Sequence, residues 1–256
     1  MTLHRDPQDL ETRRWVRTLE AGELLQNGRW DAALTILDEE IAQAERGARN
    51  YHEPAWRTLR ALMRLARANR AGASDDSRRA VELARQTKDP QVLAPALAMR
   101  ARILLAEGNR RDAASLVPEL LALGRRLVPG LLSELSAGEA LTTLAWAGCD
   151  LGVGEGLAAV LETAPQTPWV DAAIAITRSE PIRAADILAR LSRRTGEAYS
   201  RLRAAEVLKR EGRRGEADAE LAKALAFYRQ ASATTYIREA EALLAANTGE
   251  PKKVSG

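Results

Sequence analysis

Histidine and cysteine are nearly missing from these 256 residues: His4, His52 and Cys149 are the whole supply. One cysteine excludes an internal disulfide and any cysteine-based zinc cluster within the chain, and it suits a reducing cytoplasm. Neither histidine has a ligand partner three or four residues on, and HEPAW at His52 is not the H-E-x-x-H pattern of zinc proteases. The phosphate-loop spacing G-x-x-x-x-G-K-[ST] occurs nowhere, and GVGEG at Gly152 to Gly156 lies between helical stretches with no strand before it. No run of 18 or more apolar residues is present and the first nine residues are polar, so neither a membrane span nor a secretion signal is expected. Aromatics make up only 4%, with Phe227 the single phenylalanine, and the net charge of +3 does not by itself call for nucleic acid.

What the chain does have is Ala, Leu, Arg and Glu in almost every stretch, within a 46% hydrophobic content sufficient for a core. These residues favour helix and bury little area each, so helices can pack at close range, and an all-α fold follows. Gly28, Gly72, Gly108, Gly152 and Gly212 each follow one apolar helical stretch and precede another, as turn residues inside helical hairpins should. Nine residues after them stand Leu37, Val81, Val117, Leu161 and Leu221, all aliphatic. Around three of them, Ala33, Ala113 and Ala217 stand five residues after, Ala21, Ala101 and Ala205 seven before, and Leu24, Leu104 and Leu208 four before.

Small residues at these offsets around a turn glycine resemble the tetratricopeptide repeat. The implied fold is an all-α, tetratricopeptide-like, right-handed helical-hairpin solenoid of about six degenerate hairpins plus a capping helix. The glycines stand 44, 36, 44 and 60 residues apart, so the last interval must hold an extra hairpin, placed here around Ser179, with Ser179 as helix N-cap and Pro181 in the first turn. Helices are predicted near 8–27, 30–46, 53–70, 75–87, 91–107, 110–127, 131–150, 155–163, 168–177, 180–193, 197–211, 214–231 and 234–246. Residues 1–246 then form one repeat domain, and the polar stretch 247–256 is expected to be a disordered tail.

From Ala84 to Ala246, and most specifically in the stretch EAYSRLRAAEVLKREGRRGEADAELAKALAFYRQASATTYIREAEALLAA, the chain resembles the C-terminal tetratricopeptide-like region of bacterial signalling ATPases of the AAA/STAND type. Many of these carry adenylate or guanylate cyclase domains. The resemblance implies a region that senses or recruits partners behind a cyclase and an ATPase. It carries over no catalytic residue, because those belong to the other domains.

Cys149 sits among small apolar residues with no basic neighbour, which favours an inert thiol. Asp75 and Asp76 read as the acidic first turn of a helix rather than as metal ligands. Trp30 reads as packing between hairpins; for a tryptophan-lined groove, Trp56 and Trp169 are the better placed because they lie near helix starts. One segment suggests a binding surface. Between Tyr51 and Gly72 five arginines face the single acid Glu53, and Arg57, Arg60, Arg64 and Arg67 fall on one helical face beside Trp56. Turned to a concave groove, that ladder would bind an acidic peptide segment; its alternative is a face satisfied by ion pairs with neighbouring helices.

The function these features imply is a non-enzymatic, cytoplasmic protein-interaction module of bacterial signalling, with no cofactor and no metal. Its candidate site is Trp56, Arg57, Arg60, Arg64 and Arg67. Its expected partner is a protein or acidic peptide segment, with an ATPase or cyclase domain of the same or a neighbouring polypeptide as one candidate, no membrane, and nucleic acid disfavoured. The alternative is a small-molecule or nucleic-acid sensing repeat domain.

Overall fold

A computed structural model of the chain describes residues 7–47, 50–127 and 135–245, and the expected tail at 247–256 lies outside them. Fourteen helices and no strand occur among the described residues. They pair as six hairpins: α1 (Pro7–Gln26) with α2 (Trp30–Glu45), α3 (Glu53–Ala66) with α4 (Arg70–Thr87), α5 (Pro90–Ala106) with α6 (Arg110–Ser115) and α7 (Val117–Leu127), α8 (Leu135–Leu151) with α9 (Gly154–Leu161), α10 (Pro168–Thr177) with α11 (Pro181–Arg190), and α12 (Arg194–Arg210) with α13 (Arg214–Gln230). A last helix, α14 (Thr234–Ala245), caps the stack. The fold is an all-α solenoid of helical hairpins.

The second helix of the third hairpin is broken in two at Leu116. Pro118 lacks an N–H and its ring crowds the carbonyl four residues back, so the chain leaves α6 and restarts as α7.

One backbone device closes every hairpin. At residues 28, 68, 108, 152, 179 and 212 the chain takes positive φ, and the next amide donates to the carbonyl five residues earlier, as in Asn69 N to Arg64 O at 2.8 Å and Arg213 N to Leu208 O at 2.9 Å. Two of these residues correct the glycine reading. The second turn is Ala68 (φ 62°), while Gly72 lies inside α4 under the side chain of Asn69, the helix N-cap. Ser179 is not an N-cap but the left-handed turn residue itself (φ 59°); Glu180 takes the cap position and Pro181 the first helical one.

With the turns placed there, the repeat sharpens. Seven residues before each turn stand Ala21, Ala61, Ala101, Ala145, Ala172 and Ala205, every one fully or almost fully buried. Five residues after stand Ala33, Ala73, Ala113, Leu157, Ala184 and Ala217, also buried. Alanine at both positions lets the helices of a hairpin touch with little between their backbones; a larger side chain there would overpack by about 1–3 kcal/mol.

The solenoid makes one turn and meets itself. Arg67 at the end of α3 donates through Nη2 to Ala231 O at 2.9 Å, Thr235 Oγ1 donates to Leu65 O at 3.0 Å, and Gln230 Nε2 donates to Asn27 O at 2.8 Å. Thr195 N donates to Gln26 Oε1 at 3.1 Å, and Trp30 meets Phe227 edge-on. One apolar cluster therefore contains both Leu25, Trp30 and Ile41 from the first hairpin and Leu202, Leu221 and Tyr228 from the last.

Candidate functional site

The arginine ladder on α3 is folded inward. Arg60 makes a two-pronged contact with Asp76 of α4, Nε to Oδ2 at 2.8 Å and Nη2 to Oδ1 at 2.6 Å, and its Nη1 reaches Asp38 of α2 at 2.6 Å. Arg57 binds Glu53 and Glu45, each at 2.8 Å, and Asp76 at 3.4 Å. Arg64 adds a contact to Asp76 at 2.8 Å, and Arg67 pairs with Asp31 besides the Ala231 carbonyl. Burial works against the Arg57 and Arg60 cations, but the hydrogen-bonded carboxylates outweigh it and hold both above the ordinary arginine pKa. Trp56 is likewise interior, its indole N–H donating to Thr18 Oγ1 at 2.7 Å. The open cationic strip predicted from the spacing is thus an internal ion-pair network: acids distant in sequence on α2 and α4 neutralise it. Asp76, expected at a helix start, is mid-helix and is the hub, because α4 begins at Arg70.

The expected concave groove is closed by the same one-turn geometry. The first helix of each hairpin, together with α14, faces the axis, contributing Leu25, Leu59, Arg102, Trp146, Trp169, Tyr199 and Tyr236 to a central cavity of about 60 Å³. That is well below the ~300–1,000 Å³ of ordinary ligand pockets and too small for a peptide strand. Its lining is unusual for this chain. Of ten aromatic residues in the sequence, six (Trp30, Trp146, Trp169, Tyr199, Tyr228 and Tyr236) face it. Arginines cover the rings: Arg102 lies 3.9 Å over Tyr199, Arg203 5.5 Å over Trp146 and Arg193 6.0 Å over Trp169.

These arginines differ in how their charge is met. Arg203 pairs with Asp150 at 2.8 Å and Glu206 at 3.2 Å, and Arg193 stands 3.7 Å from Glu23. Arg102 has no carboxylate within ion-pair distance among the described residues. Its Nη2 donates to Tyr236 Oη at 2.6 Å. Burial opposes its cation, and the surrounding phenol oxygens favour it and hold its pKa above the ordinary value. Burial pushes Tyr199 up to about 12 and raises Tyr228 and Tyr236 as well, so all three are protonated donors at neutral pH. Of the tryptophans named from sequence, Trp169 lines the cavity and Trp56 does not. Arg102 and the tyrosines were not singled out by sequence. The one signal available was that three of the four tyrosines fall after residue 198.

The remaining candidates are quiet. Cys149 Sγ lies 3.4 Å from Ile176 O, and burial, with Asp150 adding to it, pushes the thiol up to about 11. His52 is lowered by burial among Trp15, Tyr51 and Trp56. His4 lies outside the described residues. No group of three or more His, Cys, Asp or Glu is placed to hold a metal among the described residues, and none of their helices is long and apolar enough to cross a membrane. Another depression, about 470 Å³, is an open outer cleft beside α11 and α12 in which Arg183 and Asp186 are already paired, with Glu180 and Arg201.

The class these features define is that of helical-repeat proteins. No family model and no curated protein matches the chain. Among solved structures it is similar to the tetratricopeptide-like repeats of a Podosopora anserina protein described as a kinesin light chain. One crystal structure is 18% identical, covering 87% of this chain and 97% of that one, with a TM-score of 0.45. A second is 16% identical, covering 94% and 99%, again with a TM-score of 0.45. These are likenesses of fold.

Proposed function

We propose that the chain is a non-enzymatic interaction module of bacterial signal transduction, working in the cytoplasm and docking a protein partner on its first helix. One observation carries the reading: the four exposed large hydrophobic residues among the described residues lie together. Trp15, Val16 and Leu19 form one stripe on α1, and Tyr51 joins them across His52, whose ring is 5.6 Å from Trp15 and 5.4 Å from Tyr51. Val16 is 55% exposed, the most open of the four, and outside this patch the large apolar side chains among the described residues are covered at least in part.

The occupant we assign is a helix of the partner. α1 packs on α2 and leaves the Trp15, Val16 and Leu19 stripe exposed, so a partner helix laid on that stripe extends the helix-on-helix packing already in use. Burying the exposed parts of Val16 and Leu19 would contribute about 1 kcal/mol each. The test is calorimetric titration of the chain with the ATPase or cyclase domain of the same or the neighbouring polypeptide. Binding that falls at least about tenfold in the Val16→Glu, Leu19→Glu variant, with its melting temperature kept, supports the reading. No complex, or an affinity unmoved by the double change, overturns it.

A further inference from the structure

We propose that the central cavity is a binding site for a small carboxylate, held by Arg102 with the hydroxyls of Tyr228 and Tyr236. Two independent features point there. The first is a cation without a counter-anion: Arg102 reaches the cavity from α5, with Tyr236 Oη as its hydrogen-bond partner and no carboxylate in ion-pair range among the described residues. A guanidinium offers five N–H donors in a planar fork that matches a carboxylate, and here one of those donors is used by the protein. The second is an orphan donor. Tyr228 is 1% exposed, lines the same cavity, and its hydroxyl has no hydrogen-bond partner among the described residues. Leaving a buried hydroxyl unpaired is unfavourable, and native folds rarely do so without a ligand or water to meet it.

The geometry gathers these donors. Tyr228 and Tyr236 rings are 4.9 Å apart, Tyr236 accepts from Arg102 and so keeps its own O–H free to donate, and Tyr199 supports the flat face of the guanidinium. Charged groups facing Arg102 from neighbouring elements do not replace the ligand. Arg203, Asp150 and Glu206 satisfy one another, and Glu239 of α14 stays beyond ion-pair distance of Arg102; desolvation and Glu206 raise its carboxyl, and the longer-range pull of Arg102, Arg203 and Arg70 only partly offsets them. Size sets the ligand class. About 60 Å³ accommodates a carboxylate with a carbon or two, as in formate or acetate, and not a metabolite of the kind that fills the ~300–1,000 Å³ of ordinary pockets. Because the donors come from α5, α13 and α14, the ligand ties the middle of the solenoid to its closing end.

The experiment titrates the full chain with sodium formate, sodium acetate and sodium phosphate, each against sodium chloride at matched ionic strength, reading melting temperature and calorimetric heat. A saturable rise with formate or acetate beyond the chloride control is expected. Tyr228→Phe should weaken that affinity about five- to tenfold while leaving the ligand-free melting temperature equal or slightly higher, since it removes an unpaired group. Arg102→Lys keeps the charge but loses the fork and should bind more weakly still. No saturable effect beyond chloride, saturation by phosphate but neither carboxylate, or Tyr228→Phe binding as the parent does would each overturn the proposal.

Discussion

Replacing Asp76 with alanine should be the most damaging single change in the first half of the chain. Its side chain is 2% exposed, and its two oxygens accept from three arginines: Oδ1 from Arg60 and Arg57, Oδ2 from Arg60 and Arg64. Arg57 and Arg60 are themselves 8% and 10% exposed, so solvent screens little of the loss. Without Asp76, Arg57 keeps Glu53 and Glu45, but Arg60 retains only the half-exposed Asp38. Removing one partner of a buried ion pair typically costs about 3–5 kcal/mol, because the other charge stays desolvated. Set against a total stability of about 5–15 kcal/mol, this leaves a folded but fragile chain. At about 2–4 °C per kcal/mol for a chain of this length, the melting temperature should drop by roughly 6–20 °C.

Asp75 is the internal control. It is one residue away, 78% exposed, and its one ion pair is with Arg78 at 3.7 Å, so Asp75→Ala should change stability by no more than about 0.5 kcal/mol. The assay is urea unfolding followed by circular dichroism on both variants, compared at constant slope. If Asp76→Ala costs less than about 1 kcal/mol, or if the two aspartates cost the same, the reasoning that the α3 arginines are held by Asp76 is wrong. Arg60→Glu belongs to the same argument: it would set a carboxylate against Asp76 and should destabilise the fold.

The turn residues predict opposite signs for two reciprocal changes. Gly212→Ala places an L side chain at φ 78° with nothing within 4 Å of its Cβ, so only backbone strain is added, about 1 kcal/mol of lost stability. Ala68→Gly relieves the same strain at φ 62° and, net of glycine's unfolded-state entropy, should gain about 0.5–1 kcal/mol; urea midpoints check both. Cys149, with its thiol near 11, should react with iodoacetamide at pH 8 roughly a hundredfold more slowly than an ordinary thiol, and at the ordinary rate once unfolded. Its folded pKa lies above the ordinary thiol value near 9.0, so the associated stability is fully present below pH 9 and is lost as pH rises through about 11, which alkaline melting curves would show.

Helix content, hairpin number and the extra hairpin near Ser179 were legible because alanine and leucine recur with a helical period and the breaks carry Gly or Pro. The phase of the second hairpin was not. Gly72 stood where a turn glycine was expected, yet Asn69 offered the better N-cap and Ala68 took the left-handed conformation at a cost that packing covers. With the turn moved to Ala68, a second repeat emerges. Arg57 and Arg201 both stand eleven residues before their turns; each binds the acid four residues earlier, Glu53 or Glu197, and the acid nineteen residues later, Asp76 or Glu220. The arginine spacing on α3 was visible in sequence, but its neutralisation depends on α2 and α4, whose acids are far apart in the chain. The cavity was least legible, since Arg102, Tyr199, Tyr228 and Tyr236 share no local pattern and meet only because the solenoid closes.

Closure also changes how the chain should unfold. An open solenoid holds its repeats through nearest neighbours alone, so its terminal hairpins fray first. Here the ends of α1 and α3 bond to α12, α13, α14 and the turn between the last two, through Thr195, Gln230, Arg67 and Thr235, pairs separated by more than 160 residues. Opening the last hairpin therefore exposes part of the first, including Trp30 and Leu25, which share its apolar cluster. Amides of α2, α3, α12 and α13 should exchange in one cooperative unit, with opening free energies agreeing within about 1 kcal/mol. Hydrogen exchange read by mass spectrometry measures this directly. In a Gln230→Ala, Thr235→Val variant two of the closing bonds are removed together with the exposed Arg194 to Gln230 bond, the hairpin cores being left intact, and α13 should then exchange ahead of α3, while Arg194→Ala alone, which leaves the closing bonds, should not reorder them. Exchange in the parent chain that is already far faster in α13 than in α3 would mean that the ends meet without holding each other, and the closed ring would contribute nothing to stability.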